Sequence, residues 1–141
     1  MRPYLVLLAL KLVGCPYRWG GSNPWTGFDC SGLVVWLYQA FGLLPSGDWT
    51  AQTLFDHFTR NNPEAIRNMA PGDLDFFGTS TRRISHVMLR ISHTLILGAS
   101  GGDHTTTTAE IAQRQGAMVK VKQLDYRADH VASVHVLMPG D

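Results

Sequence analysis

The sequence predicts an α+β domain in which helices come first and a mostly antiparallel sheet follows. Three observations carry this expectation. The chain has 141 residues, enough for one core and short for two. Apolar residues recur at helical spacing in the first half. Short apolar runs bounded by turn residues fill the second half, and runs of strands after runs of helices favour α+β over alternating α/β. One domain spanning residues 1–141 is therefore expected.

The elements follow in order. Residues Met1 to Cys15 offer a charged start, an apolar run and a Leu12-Val13-Gly14-Cys15 ending that looks like a lipoprotein-type cleavage site. Lys11 interrupts that run, and Leu5 to Leu10 is too short to span a bilayer. No small-x-small site precedes a mature start. Cleavage at Cys15 would leave no linker before Pro16-Tyr17-Arg18-Trp19-Gly20-Gly21. The expectation is a core helix from about Tyr4 to Val13, ended by Gly14 and Pro16, with no export signal recognised. Asp29 to Phe41 has an N-cap candidate in Asp29, a run of apolar side chains, and Gly42 at the stop. Thr50 to Phe58 carries a Leu54, Phe55 and Phe58 stripe. Pro71-Gly72-Asp73 is a turn before Leu74 to Phe77. His86 to Ile91 and Leu95 to Ala99 are strand-length runs joined by a Ser92-His93-Thr94 hairpin tip. Thr107-Thr108-Ala109-Glu110 predicts a capping box for a short helix closed by Gly116. Met118 to Val121 and Val131 to Leu137 are the remaining strands.

Composition excludes several functions. Hydrophobic residues are 45% and charged ones 16%, too apolar for disorder, and the mean hydropathy of −0.03 suits no membrane bundle. Twelve Lys+Arg against 11 Asp+Glu leave a net charge of +1. No basic field draws this chain to nucleic acid or anionic lipid, so neither a nucleic-acid partner nor a membrane span is expected. Two cysteines without C-x-x-C or Cys/His spacing suggest neither a disulfide framework nor zinc.

Chemistry concentrates where the two halves meet. Asp29-Cys30-Ser31-Gly32 puts a cysteine in the first turn of an apolar helix, directly after a glycine-rich loop. The partial positive charge of the helix N-terminus is expected to lower the thiol pKa, and Gly32 to keep the approach to the sulfur open. On position alone, a buried small hydrophobe is an equal reading. Cys15, between a helix end and a proline, reads as packing. A thiolate nucleophile needs an imidazole to hold its proton and later protonate the leaving amine. Of six histidines, His86 begins a strand after a polar loop and earns a modest preference. His57 and His93 read as solvated, His130 and His135 as satisfied near the last strand, and His104 as an accessory candidate.

These motifs together resemble one family. Gly14-Cys15-Pro16-Tyr17-Arg18-Trp19-Gly20-Gly21, Asp29-Cys30-Ser31-Gly32-Leu33, Pro71-Gly72-Asp73-Leu74 with Phe76-Phe77, and Ser85-His86-Val87 are similar in order and spacing to the NlpC-type cell-wall cysteine peptidases. The resemblance runs from about residue 4 to 137. It implies a papain-like single domain, with N-terminal helices packed on a mostly antiparallel sheet. It further implies hydrolysis of an amide in the peptidoglycan stem peptide, commonly from γ-D-glutamate to diaminopimelate or lysine. Cys30 then falls on the nucleophile, His86 on the general base and acid, and Tyr17 on the oxyanion donor beside the Cys30 amide. Asp29, Ser31 and Trp19 fall on substrate-contacting positions. No metal or organic cofactor is implied, the partner is the stem peptide, and a monomer is expected.

One position departs from that pattern. The family uses a third polar residue, often His, on the strand after the catalytic imidazole. Twelve residues beyond His86 stands Gly98, which has no side chain. The expected hairpin would place Ser100 across from His86, making Ser100 the first candidate for the third role. His104 and Asp103 follow, and a backbone carbonyl or water is also open. A catalytically silent, stem-peptide-binding part of a phage or secretion assembly is the alternative function. With no export signal recognised, the expectation is synthesis in the cytoplasm and delivery to the cell wall by a phage-type or machine-dependent route.

Overall fold

The computed structural model describes residues 1–66 and 70–141. Its helices are α1 (Arg2–Lys11), α2 (Cys30–Ala40), α3 (Ala51–Thr59) and α4 (Ala109–Gln115). A small hairpin pairs β1 (Ser22–Asn23) with β2 (Gly27–Phe28). The main sheet comprises β3 (Leu74–Ser80), β4 (Arg83–Arg90), β5 (Leu95–Ser100), β6 (Met118–Gln123) and β7 (His130–Val134). Every pairing in it is antiparallel, in the order β6-β5-β4-β3-β7. The α+β expectation holds.

Local chemistry explains the helix starts. The Asp29 carboxylate accepts a hydrogen bond from the Gly32 amide at 2.7 Å, capping α2. Thr50 and Thr53 form a reciprocal capping box at the start of α3. At α4 the cap is Thr108, accepting from the Ile111 amide, and not the expected Thr107 with Glu110. The reason lies just upstream: a turn over Asp103 to Thr106 and the Thr107 amide bond to the Thr105 carbonyl keep Thr107 outside the helix.

Helix α2 carries Leu33, Val34, Leu37 and Tyr38, all fully buried, against β4 and β5. Each such side chain contributes about 1.5–3 kcal/mol by leaving water. Tyr38 keeps its hydroxyl satisfied by donating to the Gly72 carbonyl at 2.7 Å, inside the Pro71-Gly72-Asp73 turn. Gly72 takes φ +93 there, a left-handed conformation that favours glycine. Helix α1 inserts Leu5 and Ala9 into the same core. Among the described residues, no helix is long and apolar enough to cross a membrane.

Several strand boundaries differ from expectation: β3 runs on to Ser80 and β6 to Gln123, and two further differences have visible causes or bear on the site. Strand β7 stops at Val134 because the next amides have other partners: His135 donates to the Ala65 carbonyl at 2.7 Å and Val136 to Asp73 Oδ1 at 3.0 Å. His86 lies inside β4, not at its beginning, opposite Phe77 of β3. A register shift between Phe77 and Gly78 falls at this pair, a bulge of the kind that re-aims a side chain. On its other side β4 pairs with β5 at Leu89↔Leu97 and Arg90↔Ile96, the register the Ser92-His93-Thr94 tip dictates. Nearer His86 the two strands are not laddered.

Candidate active site

Cys30 is the first residue of α2. The Gly20-Gly21 loop is tied to that helix start from both sides. Gly20 donates to Asp29 Oδ2 at 3.1 Å, and the Asp29 amide donates to the Gly21 carbonyl at 3.1 Å. A Cβ on Gly32 would collide with the Gly21 carbonyl. Gly32 therefore admits this loop against the helix, which replaces the expectation that it clears a path to the sulfur.

The Cys30 thiol is pushed up to about 11, first by burial and then by the Asp29 charge. Backbone N–H groups of Val87, Ser31 and Cys30 itself oppose this only in part. The expected lowering is overturned for a quantitative reason. A tenfold change in ionisation is worth about 1.4 kcal/mol. The rise from 9.0 to about 11 therefore outweighs the roughly 0.3–1 kcal/mol that a helix N-terminus supplies. Burial, followed by the Arg127 charge, also pushes His86 down to about 4. Both shifts favour the uncharged forms of the two groups, thiol and neutral imidazole.

A cleft of about 240 Å³ brings together Tyr17, Trp19, Cys30, His86, Ser100 and Arg127. Tyr17 is buried, and its phenol is held well above the usual range first by burial and then by nearby negative charge, from the thiolate form of Cys30 and from Asp29 and Asp103. Asp29 and Ser31 line a second hollow of about 310 Å³ together with Asp48 and Trp49. The seven residues singled out in the sequence thus divide: Tyr17, Trp19, Cys30, His86 and Ser100 line the cleft, while Asp29 and Ser31 line the second hollow. Ser31 Oγ donates to Asp29 Oδ1 at 3.3 Å, adding to the bonds the capping carboxylate already receives.

None of the three candidates for orienting the imidazole hydrogen-bonds to it. Ser100 lines the cleft, but its hydroxyl lies by the Tyr126 phenol, where it favours the ionised form. Asp103 accepts from the Thr105 amide at 2.8 Å and from the Thr105 hydroxyl. His104 meets Trp19 edge-on at 6.3 Å between ring centroids. The partner of His86 is Tyr126, whose Oη lies 2.9 Å from Nε2. Tyr126 and the cleft residue Arg127 come from the loop between β6 and β7. Sequence reasoning missed both, because that loop shows no periodicity and lies 40 residues from the imidazole it meets.

The remaining histidines are accounted for. His130 Nε2 lies 3.0 Å from Asp75 Oδ1, and His135 Nδ1 lies 2.8 Å from Asp73 Oδ2. His57 packs edge-on against Trp49 at 4.9 Å, and His93 is exposed at the hairpin tip. Burial raises the Cys15 thiol, and this side chain packs on the main core.

Comparison with known proteins places this geometry in context. The model of the NlpC/P60 family matches residues 14–131. The chain is 42% identical over 88 residues to the bifunctional muramidase/DL-endopeptidase CwlT of Bacillus subtilis (strain 168), covering 60% of this chain and 25% of that protein. It is 38% identical over 100 residues to a probable endopeptidase of Mycobacterium tuberculosis (strain ATCC 25618 / H37Rv), covering 70% of this chain and 23% of the relative. The crystal structure of an NlpC/P60 family protein from Bacillus cereus ATCC 10987 shares the fold with a TM-score of 0.72 at 20% identity. That match covers 98% of this chain and 41% of the other. The chain spans about a quarter of the length of the curated relatives it matches.

Proposed function

The chain belongs to the NlpC/P60 family, and from that premise we propose that it is a cysteine peptidase hydrolysing an amide of the peptidoglycan stem peptide. The bond we infer is the one from γ-D-glutamate to diaminopimelate or lysine. The observation that carries the reading is the convergence of Cys30, His86 and Tyr17 on one cleft, with Cys30 at a helix N-terminus. The names of the curated relatives support an endopeptidase.

The chemistry follows from the resting protonation. His86 takes the proton from the Cys30 thiol as the sulfur attacks the γ-glutamyl carbonyl carbon. The oxyanion that forms is met by the Tyr17 hydroxyl and by the Cys30 amide, which at the first position of α2 has no intrahelical acceptor. The C–N bond then breaks, and His86 returns its proton to the departing amine, leaving a thioester. Water attacks that thioester with His86 as base, releasing the carboxylic acid and restoring the thiol. Starting from a neutral pair, the proton moves during attack and not before it. Trp19, largely exposed at the cleft, supplies an apolar face for the peptide.

The test is digestion of purified peptidoglycan followed by mass spectrometry of the muropeptides. Products cut after γ-D-glutamate with the native chain, and none with Cys30→Ala, are expected. Cys15→Ala should retain most activity. Intact stem peptides that bind the native chain without cleavage would favour the silent, peptide-binding alternative.

A further inference from the structure

We propose that Tyr126 is the positioning residue of this site, holding His86 with its proton on Nε2 in the place where Gly98 offers no side chain. The assignment rests on the reading of His86 as the general base. Its evidence is geometric.

The Tyr126 hydroxyl has the Ser100 hydroxyl and the Arg127 guanidinium beside it, and two of its contacts bear on the imidazole. It lies 2.9 Å from His86 Nε2, and its O–H donates to Met88 Sδ at 3.2 Å. A thioether sulfur accepts but never donates, so the contact gives the phenol proton a destination away from the imidazole. The phenol oxygen is then left to accept from Nε2–H. That tautomer leaves Nδ1 with a free lone pair, the state needed to take a proton from a thiol. The reverse arrangement, with the phenol donating to Nε2, would put the ring proton on Nδ1 and block the transfer.

Gly98 makes this arrangement sterically available. A Cβ there would meet Met88 Cγ at 3.0 Å and Met88 Cε at 3.2 Å, tighter than ordinary packing. The missing side chain thus gives Met88 the space in which its sulfur reaches Tyr126. Phe77 fixes both rings: it packs edge-on against Tyr126 at 5.8 Å and tilted against His86 at 5.5 Å. The turn that presents Tyr126 is closed by its own amide, which donates to the Gln123 carbonyl at 3.0 Å. A side chain from the β6–β7 loop therefore reaches the imidazole from a different element than the neighbouring strand.

The experiment reads the tautomer directly and the activity separately. Side-chain ¹⁵N shifts of His86 at neutral pH should show a protonated Nε2 and an unprotonated Nδ1 in the native chain. Tyr126→Phe keeps the ring and removes the hydroxyl. It should shift His86 toward a mixture of tautomers and lower kcat about 10- to 100-fold with KM little changed, a fraction of the 10²–10⁴ typical for general acid–base catalysis. Met88→Leu, close in volume, should move the tautomer in the same direction by a smaller amount. A native His86 protonated on Nδ1, or a tautomer untouched by Tyr126→Phe, would overturn the assignment. The expected shifts together with a native chain that cuts no muropeptide would uphold the contact and sink the peptidase reading instead.

Discussion

Gly102 lies against the face of the Tyr17 ring so closely that a Cβ at this position would overlap Cγ, Cδ1 and Cε1 of the tyrosine. Strand β5 ends two residues earlier, so the β5–α4 connection sets the position of the ring. Gly102→Ala must therefore displace the phenol from the cleft or push the loop off it. The expected result is a kcat reduced toward that of Tyr17→Phe. In the double variant the glycine change should add little, since both lesions act through one hydroxyl. Steady-state kinetics on a muropeptide substrate decides this. Fully additive losses would show that Gly102 acts elsewhere.

Tyr17→Phe itself separates oxyanion stabilisation from substrate binding. Removing one oxyanion donor typically costs about 10²–10³ in kcat. A loss of that order with KM nearly constant is expected. A large rise in KM at unchanged kcat would make Tyr17 a binding residue only.

Within the main sheet, Arg90 of β4 and Asp75 of β3 form a buried pair. Arg90 donates from Nε to Asp75 Oδ2 and from Nη2 to Oδ1, both at 2.7 Å, and Ser133 and His130 also contact this carboxylate. Asp75 is fully buried, and the Arg90 pair helps hold its carboxyl below the usual range despite burial. Arg90→Met should leave a desolvated carboxylate without its cation and cost about 3–5 kcal/mol. Urea denaturation measures this. Adding Asp75→Asn should recover part of the loss, because the stranded charge is then gone. A loss below 1 kcal/mol in the single variant, roughly that of an exposed pair, would contradict the buried-pair account.

Much of this molecule is legible in its sequence, and the parts that are not share a cause. Caps and stops written in neighbouring residues were readable: Asp29 before α2, Gly42 after it at φ +71, and Thr50 before α3. The hairpin register was readable as well, because the Ser92-His93-Thr94 tip fixes which residues of β4 and β5 face each other. Features decided by distant partners were not. Strand β7 ends where Ala65 and Asp73 capture its amides, and no local signal at His135 announces that. Cys30 looks acidic from its helix position, yet dry surroundings and the Asp29 charge govern it. Ser100 was the natural register partner of His86, but the ladder stops at Leu89, and the phenol of Tyr126 contacts the ring instead.

Burial of His86 makes stability depend on pH in a defined window. Its side chain is 7% exposed, and its pKa in the folded chain is pushed from 6.5 down to about 4. Between those values an unfolded chain binds a proton that the folded one refuses. Stability from the neutral, buried ring is therefore complete above about pH 6.5. It declines as pH falls toward 4, and no further loss arises from this group once the folded ring protonates. The displacement corresponds to at most about 3 kcal/mol. His86→Gln removes the titration while keeping a polar side chain of similar reach, so its stability should fall less on acidification than that of the native chain. Urea denaturation at pH 7, 6, 5 and 4.5 gives both curves, and taking their difference cancels the titration of carboxylates common to both chains. The native-minus-variant stability should fall steadily from about pH 6.5 downward. Parallel curves across that range would mean that the folded protein accepts the proton on His86 as readily as the unfolded chain does, with water reaching the ring through the cleft.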